Sequence, residues 1–235
     1  MTPNPIICAI DTTDMAKATA LAGALKPHVG AIKLGLEFFM AHGTQGVAQV
    51  AALGAPIFLD LKFHDIPNTV AGALRGVAGL ECFLLTVHAA GGYDMMKAAA
   101  QQARENAAHS GKSRPKIVGV TVLTSMDAQD LSDIGVANAL EAQVLRLAAL
   151  AQKAGLDGVV CSPHEIHAIR KACGKDFTLV VPGIRPEGSA QGDQKRTMTP
   201  KEAMAAGADY LVIGRPITGA ADPAAAAADI FASLC

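Results

Sequence analysis

Asp60, Lys62 and Asp65 fall within one short stretch, Ile57-Phe58-Leu59-Asp60-Leu61-Lys62-Phe63-His64-Asp65-Ile66-Pro67-Asn68-Thr69-Val70, whose opening residues read as a buried strand. In a strand Asp60 and Lys62 stand two apart and point to the same face. An ion pair taken out of water regains only part of its lost solvation from Coulomb attraction, and chemistry is the usual reason a strand carries one. Lys33, in Ala-Ile-Lys-Leu-Gly, is a second ammonium in an apolar strand. Acids and bases that alternate in sign can all stay ionised, which yields a preorganised field and one movable proton, on Lys62 or Lys33. The alternative is an ion network that only sets strand register.

A second constellation suits an anion. Val181-Pro182-Gly183-Ile184-Arg185-Pro186 and Ile213-Gly214-Arg215-Pro216 each offer a glycine that lets an anion approach backbone N–H groups, then an arginine whose fork matches phosphate oxygens. The alternative is a pair of surface arginines at turn glycines. Between them runs a long polar segment, Glu187 to Thr197, with the length and composition of a lid from which Gln194 could reach a ligand. A loop without a function is the other reading. His88 ends an apolar run, and a lone histidine there is more often a neighbour than a base. His164-Glu165-Ile166-His167 has the wrong spacing for a zinc helix and reads as surface.

The elements that must position these groups are short apolar runs: Ile6 to Ile10, Ala31 to Leu34, Pro56 to Leu61, Cys82 to Val87, Ile117 to Leu123, Gly158 to Cys161, Thr178 to Val181 and Tyr210 to Ile213. Each is separated from the next by a helical segment. Such alternation implies a parallel sheet covered by helices, and eight strands suggest closure into a (β/α)8 TIM barrel of α/β class, a single domain over 1–235. Ser162-Pro163-His164-Glu165 and Thr199-Pro200-Lys201-Glu202 are capping boxes with proline in the first turn, and Gly54, Gly155 and Gly207 stand where helices end before strands. The C-terminal strand ends then carry Asp11, Lys33, Asp60 with Lys62, His88, Thr121 and Thr124, Ser162, Gly183 with Arg185, and Gly214 with Arg215. In a parallel barrel those ends share one mouth. Asp157 and Asp209, at strand starts, read as capping or turn residues.

Composition narrows the partners. Hydrophobic residues make up 51% and charged residues 17% of 235, and 20 basic against 21 acidic side chains leave a net charge of −1. No global field recruits nucleic acid or an anionic membrane, so an anionic ligand needs a local site. No run of uninterrupted apolar residues is long enough for a membrane span, and the N-terminus has no leader pattern, so a soluble, cytoplasmic protein is expected. The 5 cysteines have neither C-x-x-C nor framework spacing, which argues against metal or disulfide roles.

Asp60-x-Lys62-x-x-Asp65-Ile66-Pro67-Asn68-Thr69, preceded by Asp11 and Lys33 and followed by Pro182-Gly183-Ile184-Arg185 and Gly214-Arg215, resembles the orotidine 5′-phosphate decarboxylases of bacterial type. The resemblance runs from the first strand to the eighth. It implies decarboxylation of orotidine 5′-phosphate to UMP in de novo pyrimidine synthesis, with no metal or organic cofactor. It further implies that Lys62 donates a proton to C6, that Asp60 lies against the departing carboxylate, and that Lys33 and Asp11 hold the ribose and the network. Asp65 and Thr69 would serve the neighbouring site of a homodimer. Thr124 would face the pyrimidine, Gln194 would bridge base and phosphate, and Arg185, Gly214 and Arg215 would take the phosphate. Two other readings stay open. One is a sugar-phosphate enzyme of the same scaffold, 3-keto-gulonate 6-phosphate decarboxylase or hexulose phosphate synthase, which would want Mg²⁺ and an acidic residue where Lys33 stands. The other is a non-catalytic barrel that binds UMP-like ligands.

Overall fold

The computed structural model describes residues 4–187 and 197–234. Eight strands, β1 (Ile6–Ile10), β2 (Ala31–Gly35), β3 (Ile57–Phe63), β4 (Leu84–His88), β5 (Lys116–Val120), β6 (Gly158–Val160), β7 (Thr178–Val181) and β8 (Tyr210–Ile213), close in sequence order into a parallel barrel. Closure is made by β8 against β1, with Cys8 opposite Ile213. Helices α1 (Met15–Leu25), α2 (Leu36–Ala51), α3 (Pro67–Gly76), α4 (Gly92–Ser110), α5 (Ala128–Asp133), α6 (Leu140–Lys153), α7 (Ile166–Cys173), α8 (Pro200–Ala206), α9 (Arg215–Thr218) and α10 (Pro223–Ala232) lie between or after the strands. This is the (β/α)8 TIM barrel expected from the alternating runs.

Two apolar layers hold it. The larger lies between strands and helices, where Ile6, Cys8, Ile10, Ile32, Leu34, Ile57 and Leu59 meet Phe38, Val47, Val50, Leu74 and Met96. The smaller fills the barrel: Ile7, Ala9, Ala31, Phe58, Leu84, Val118, Val180 and Val212. Strand alternation fixes this division, because residues two apart share a face. Lys33, Asp60 and Thr86 stand two residues beyond Ala31, Phe58 and Leu84, so the filled layer is the floor on which the charged residues rest.

The capping chemistry holds in detail. The Thr199 side chain accepts from the Glu202 N–H while the Glu202 carboxylate accepts from the Thr199 N–H, and α8 starts there. Ser162 and Glu165 make the same reciprocal pair, although they open a single 3₁₀ turn before α7, and Glu165 is buried rather than on the surface. At the N-terminal ends of the strands Asp157 and Asp209 act as clamps. Asp157 takes both Arg114 Nη1 and Nη2, at 2.7 and 2.6 Å, and the Ile117 N–H at 2.8 Å. Asp209 takes Arg170 Nη2 at 2.8 Å and the Leu179 N–H at 2.7 Å. Each carboxylate thus ties one strand's start to its neighbour's.

Some boundaries differ from the sequence reading. Strand β5 stops at Val120, and Thr121 closes the ladder with its N–H and hydroxyl, both donated to the Val160 carbonyl. Strand β4 begins at Leu84, and β3 extends to Phe63. Helix α2 is interrupted at Gly43, whose φ of 58° and ψ of −157° no helix adopts. Among the described residues, no helix is long and apolar enough to cross a membrane.

Candidate active site

The charged array assembles at the C-terminal mouth of β1 to β3. Lys62 Nζ donates to Asp60 Oδ2 at 2.8 Å, Lys33 Nζ lies 3.6 Å from the same oxygen, and Lys33 also reaches Asp11 Oδ1 at 3.3 Å. Two ammoniums therefore converge on one carboxylate oxygen. The other, Oδ1, accepts the Thr86 hydroxyl at 2.9 Å. Burial alone would push the Asp60 carboxyl up; the ammoniums of Lys33 and Lys62, with the hydrogen bonds from Lys62 and Thr86, outweigh it and hold the group below the usual carboxylate range. Asp60 is a permanent anion at neutral pH.

Lys62 and Asp60 meet, but not through simple alternation. Leu59 pairs with Leu85 and Phe63 with Val87, so Asp60, Leu61 and Lys62 all face Thr86 in a bulge. Lys62 there has φ of 51°, in the left-handed region that costs a non-glycine residue about 1 kcal/mol or more. Such strain collects at functional sites. The bend turns the Lys62 ammonium back over Asp60.

The array opens on a cavity of about 200 Å³ lined by Lys33, Asp60 and Lys62 on one side. Val120, Val122, Val160, Pro182 and Val212 form the apolar side, with Thr124 and Cys161 at its edge. A ligand with a charged end and a flat, weakly polar body would fit such a division. Thr124 is half-buried in this lining. Among the described residues, no three histidine, cysteine or acidic side chains converge as metal ligands.

The anion-suited glycines and arginines sit on the same rim. Gly183 has φ of 80°, and Arg185 follows it, its N–H donating to the Met198 carbonyl at 2.9 Å. Gly214 packs against β1: a Cβ placed on it would lie 3.5 Å from Ala9 Cβ and 4.0 Å from Asp11 Oδ2. Arg215 follows, exposed, at the start of α9. Strand order places the loop after β8 next to β1 and Asp11, with the loop after β7 one strand further round.

Two expected site residues, Asp65 and Thr69, stand apart from the array. Asp65 is exposed, and its carboxylate accepts the Ile66 N–H at 2.6 Å. Thr69 is exposed on the first turn of α3. Gln194, with most of the polar segment around it, lies outside the described residues. One residue was not singled out from the sequence. Thr86 was hidden among β-branched strand formers, where the only signal is a hydroxyl two positions before His88. His64 lies with its ring 5.3 Å from that of His88. Burial first, then His64 and Lys62, hold His88 below the ordinary histidine value, so it adds no charge to the array at neutral pH.

Comparison with known proteins agrees with the geometry. The family model described as Orotidine 5′-phosphate decarboxylase / HUMPS family matches residues 4–230. A protein of Rhodospirillum rubrum named orotidine 5′-phosphate decarboxylase is 59% identical over 228 residues, covering 97% of this chain and 92% of that one. One of the same name from Paramagnetospirillum magneticum is 55% identical over 231 residues, covering 98% of each. The crystal structure of orotidine 5′-phosphate decarboxylase from Lactobacillus acidophilus superposes with a TM-score of 0.88 at 37% identity, over 98% of this chain and 99% of that one.

Proposed function

The chain belongs to the orotidine 5′-phosphate decarboxylase / HUMPS family, and we propose that its barrel mouth performs the decarboxylation of orotidine 5′-phosphate to UMP and CO₂. The family description spans two chemistries. The relatives at 55% and 59% identity carry the decarboxylase name, and Lys33 stands where the sugar-phosphate enzymes would want an acid. The observation that carries the assignment is the Lys62 ammonium 2.8 Å from a buried Asp60 carboxylate, beside a cavity whose opposite wall is apolar.

The chemistry follows from those charges. The substrate carboxylate would come to rest against Asp60, where like charges repel, and that repulsion disappears as the carboxylate leaves as neutral CO₂. The electron pair left at C6 is a localised carbanion. Lys62 stabilises it as a fixed cation and then supplies the proton that completes UMP. Lys33, itself paired with Asp11, joins Lys62 in keeping Asp60 ionised, and Thr124 faces the pyrimidine. Arg185, Gly214 and Arg215 hold the phosphate, with Gln194 bridging phosphate and base. Energy from that remote clamp can be used at the reacting carbon, toward the ~8–23 kcal/mol by which enzymes lower barriers.

Asp65 and Thr69 serve the site of a second copy. What supports this is their exposure in the single chain and the apolar side chains beside them: Leu36 is 52% exposed, Met40 79% and Ile66 66%. Leu36 follows β2 and Ile66 follows β3, adjacent strands, so these side chains flank the same rim. A symmetric partner would cover them. The reaction needs no metal or organic cofactor, since the protein supplies both the field and the proton, and it suits the cytoplasm.

The test is the absorbance change of orotidine 5′-phosphate with purified protein in excess EDTA. Full turnover supports the assignment. Turnover only with added Mg²⁺, or on a ketose phosphate instead, would replace it.

A further inference from the structure

We infer that Thr86 is a positioning residue for the decarboxylation, its hydroxyl joining the Lys62 backbone to the Asp60 carboxylate so that acid and ammonium are fixed as one unit. The inference rests on the functional reading above. It starts from the bulge in β3. Three residues of β3 face one of β4, and the regular ladder between the two strands is interrupted there. The Lys62 N–H instead donates to Thr86 Oγ1 at 2.9 Å. That bond settles the direction of the hydroxyl's own proton. An ionised carboxylate only accepts, so Thr86 O–H donates to Asp60 Oδ1, 2.9 Å away. Thr86 is fully buried, which shields its hydroxyl from solvent.

Two consequences follow. The Asp60 carboxylate is held from both ends, Oδ1 by the hydroxyl and Oδ2 by the two ammoniums, so it cannot rotate to exchange its oxygens. The left-handed backbone at Lys62, which aims the ammonium, is anchored by its own N–H. Losing the hydroxyl frees both the carboxylate's orientation and the bend. The phosphate clamp on β7 and β8 is across the barrel from Thr86 and stays intact. The cost should therefore fall on kcat and leave nucleotide affinity almost unchanged.

The experiment compares Thr86→Val, which keeps the shape and removes the hydroxyl, with Thr86→Ser, which keeps it. For each, kcat and KM for orotidine 5′-phosphate are measured across pH, together with UMP affinity and the thermal midpoint. Expected for Thr86→Val is a kcat lower by about 10- to 100-fold, the loss of a hydrogen bond to a charged group, with KM and UMP affinity changed by less than about 3-fold. The acid limb of kcat should move to higher pH, because Asp60 loses a donor that favours its ionised form. Thr86→Ser should recover kcat to within about 3-fold of wild type. Equal kcat in Thr86→Val and wild type overturns the inference and leaves the decarboxylase reading standing. So does equal loss in both variants, which would mean that volume and not the hydroxyl matters. Wild-type protein that releases no CO₂ overturns the reading itself and the role of Thr86 with it.

Discussion

Substituting Asp60 by Asn should kill turnover yet tighten the hold on substrate relative to product. Asn keeps the shape and one acceptor oxygen, for either the Thr86 hydroxyl or the ammoniums, and removes the charge. In the wild type, Asp11, Lys33, Asp60 and Lys62 sum to zero, with Lys33 and Lys62 at 3.6 and 2.8 Å from one Asp60 oxygen. The variant's array carries one net positive charge. A substrate carboxylate ~4 Å from Asp60 is repelled by about 4 kcal/mol at an effective dielectric of ~20. Screening by solvent and by the neighbouring ammoniums leaves about half of that, ~2 kcal/mol, which is roughly 30-fold in affinity. UMP has a hydrogen where the substrate has its carboxylate and feels no such repulsion. The assay is equilibrium binding of both ligands to both proteins, feasible because the inactive variant leaves orotidine 5′-phosphate intact. The ratio of UMP to substrate dissociation constants should rise by about 30-fold in Asp60→Asn. An unchanged ratio, or weaker substrate binding alone, would refute the placement of the carboxylate against Asp60.

Two further perturbations address the rest of the site. Arg215→Ala should weaken UMP and orotidine 5′-phosphate by about 10- to 100-fold, as expected for one charge-assisted bond to phosphate, and leave uridine and orotidine nearly unaffected; the reverse pattern would move the phosphate site elsewhere. Ile66→Asp, at a side chain 66% exposed beside Asp65, should shift sedimentation from dimer to monomer and remove activity, whereas a fully active monomer would show that each chain completes its own site.

Much of the barrel was legible because its strands are buried on both faces and read as unbroken Val, Ile and Leu, with glycine at helix ends. Their ends were less so. Thr121-Val122-Leu123 continues the apolar pattern of β5, but the chain leaves the ladder after Val120, a choice made by the Thr121 bonds to β6. The Asp60 and Lys62 encounter was anticipated, though for an incomplete reason. A period of two cannot disclose a bulge, and the left-handed turn at Lys62 has no sequence mark such as glycine. Thr86 escaped notice since threonine is also an ordinary strand former, and its role appears only when β4 is laid against β3. Asp65 was grouped with the array by proximity in sequence, yet the bend at Lys62 carries it outward to the rim.

The central claim is that the Lys62 ammonium, set against Asp60, supplies the proton that replaces CO₂. Its most direct test is release of labelled CO₂ from carboxyl-labelled orotidine 5′-phosphate by Lys62→Ala, measured beside UMP binding to the same preparation. Release should be abolished while UMP still binds through Arg215 and Gly214. Release at the wild-type rate would remove Lys62 from the reaction.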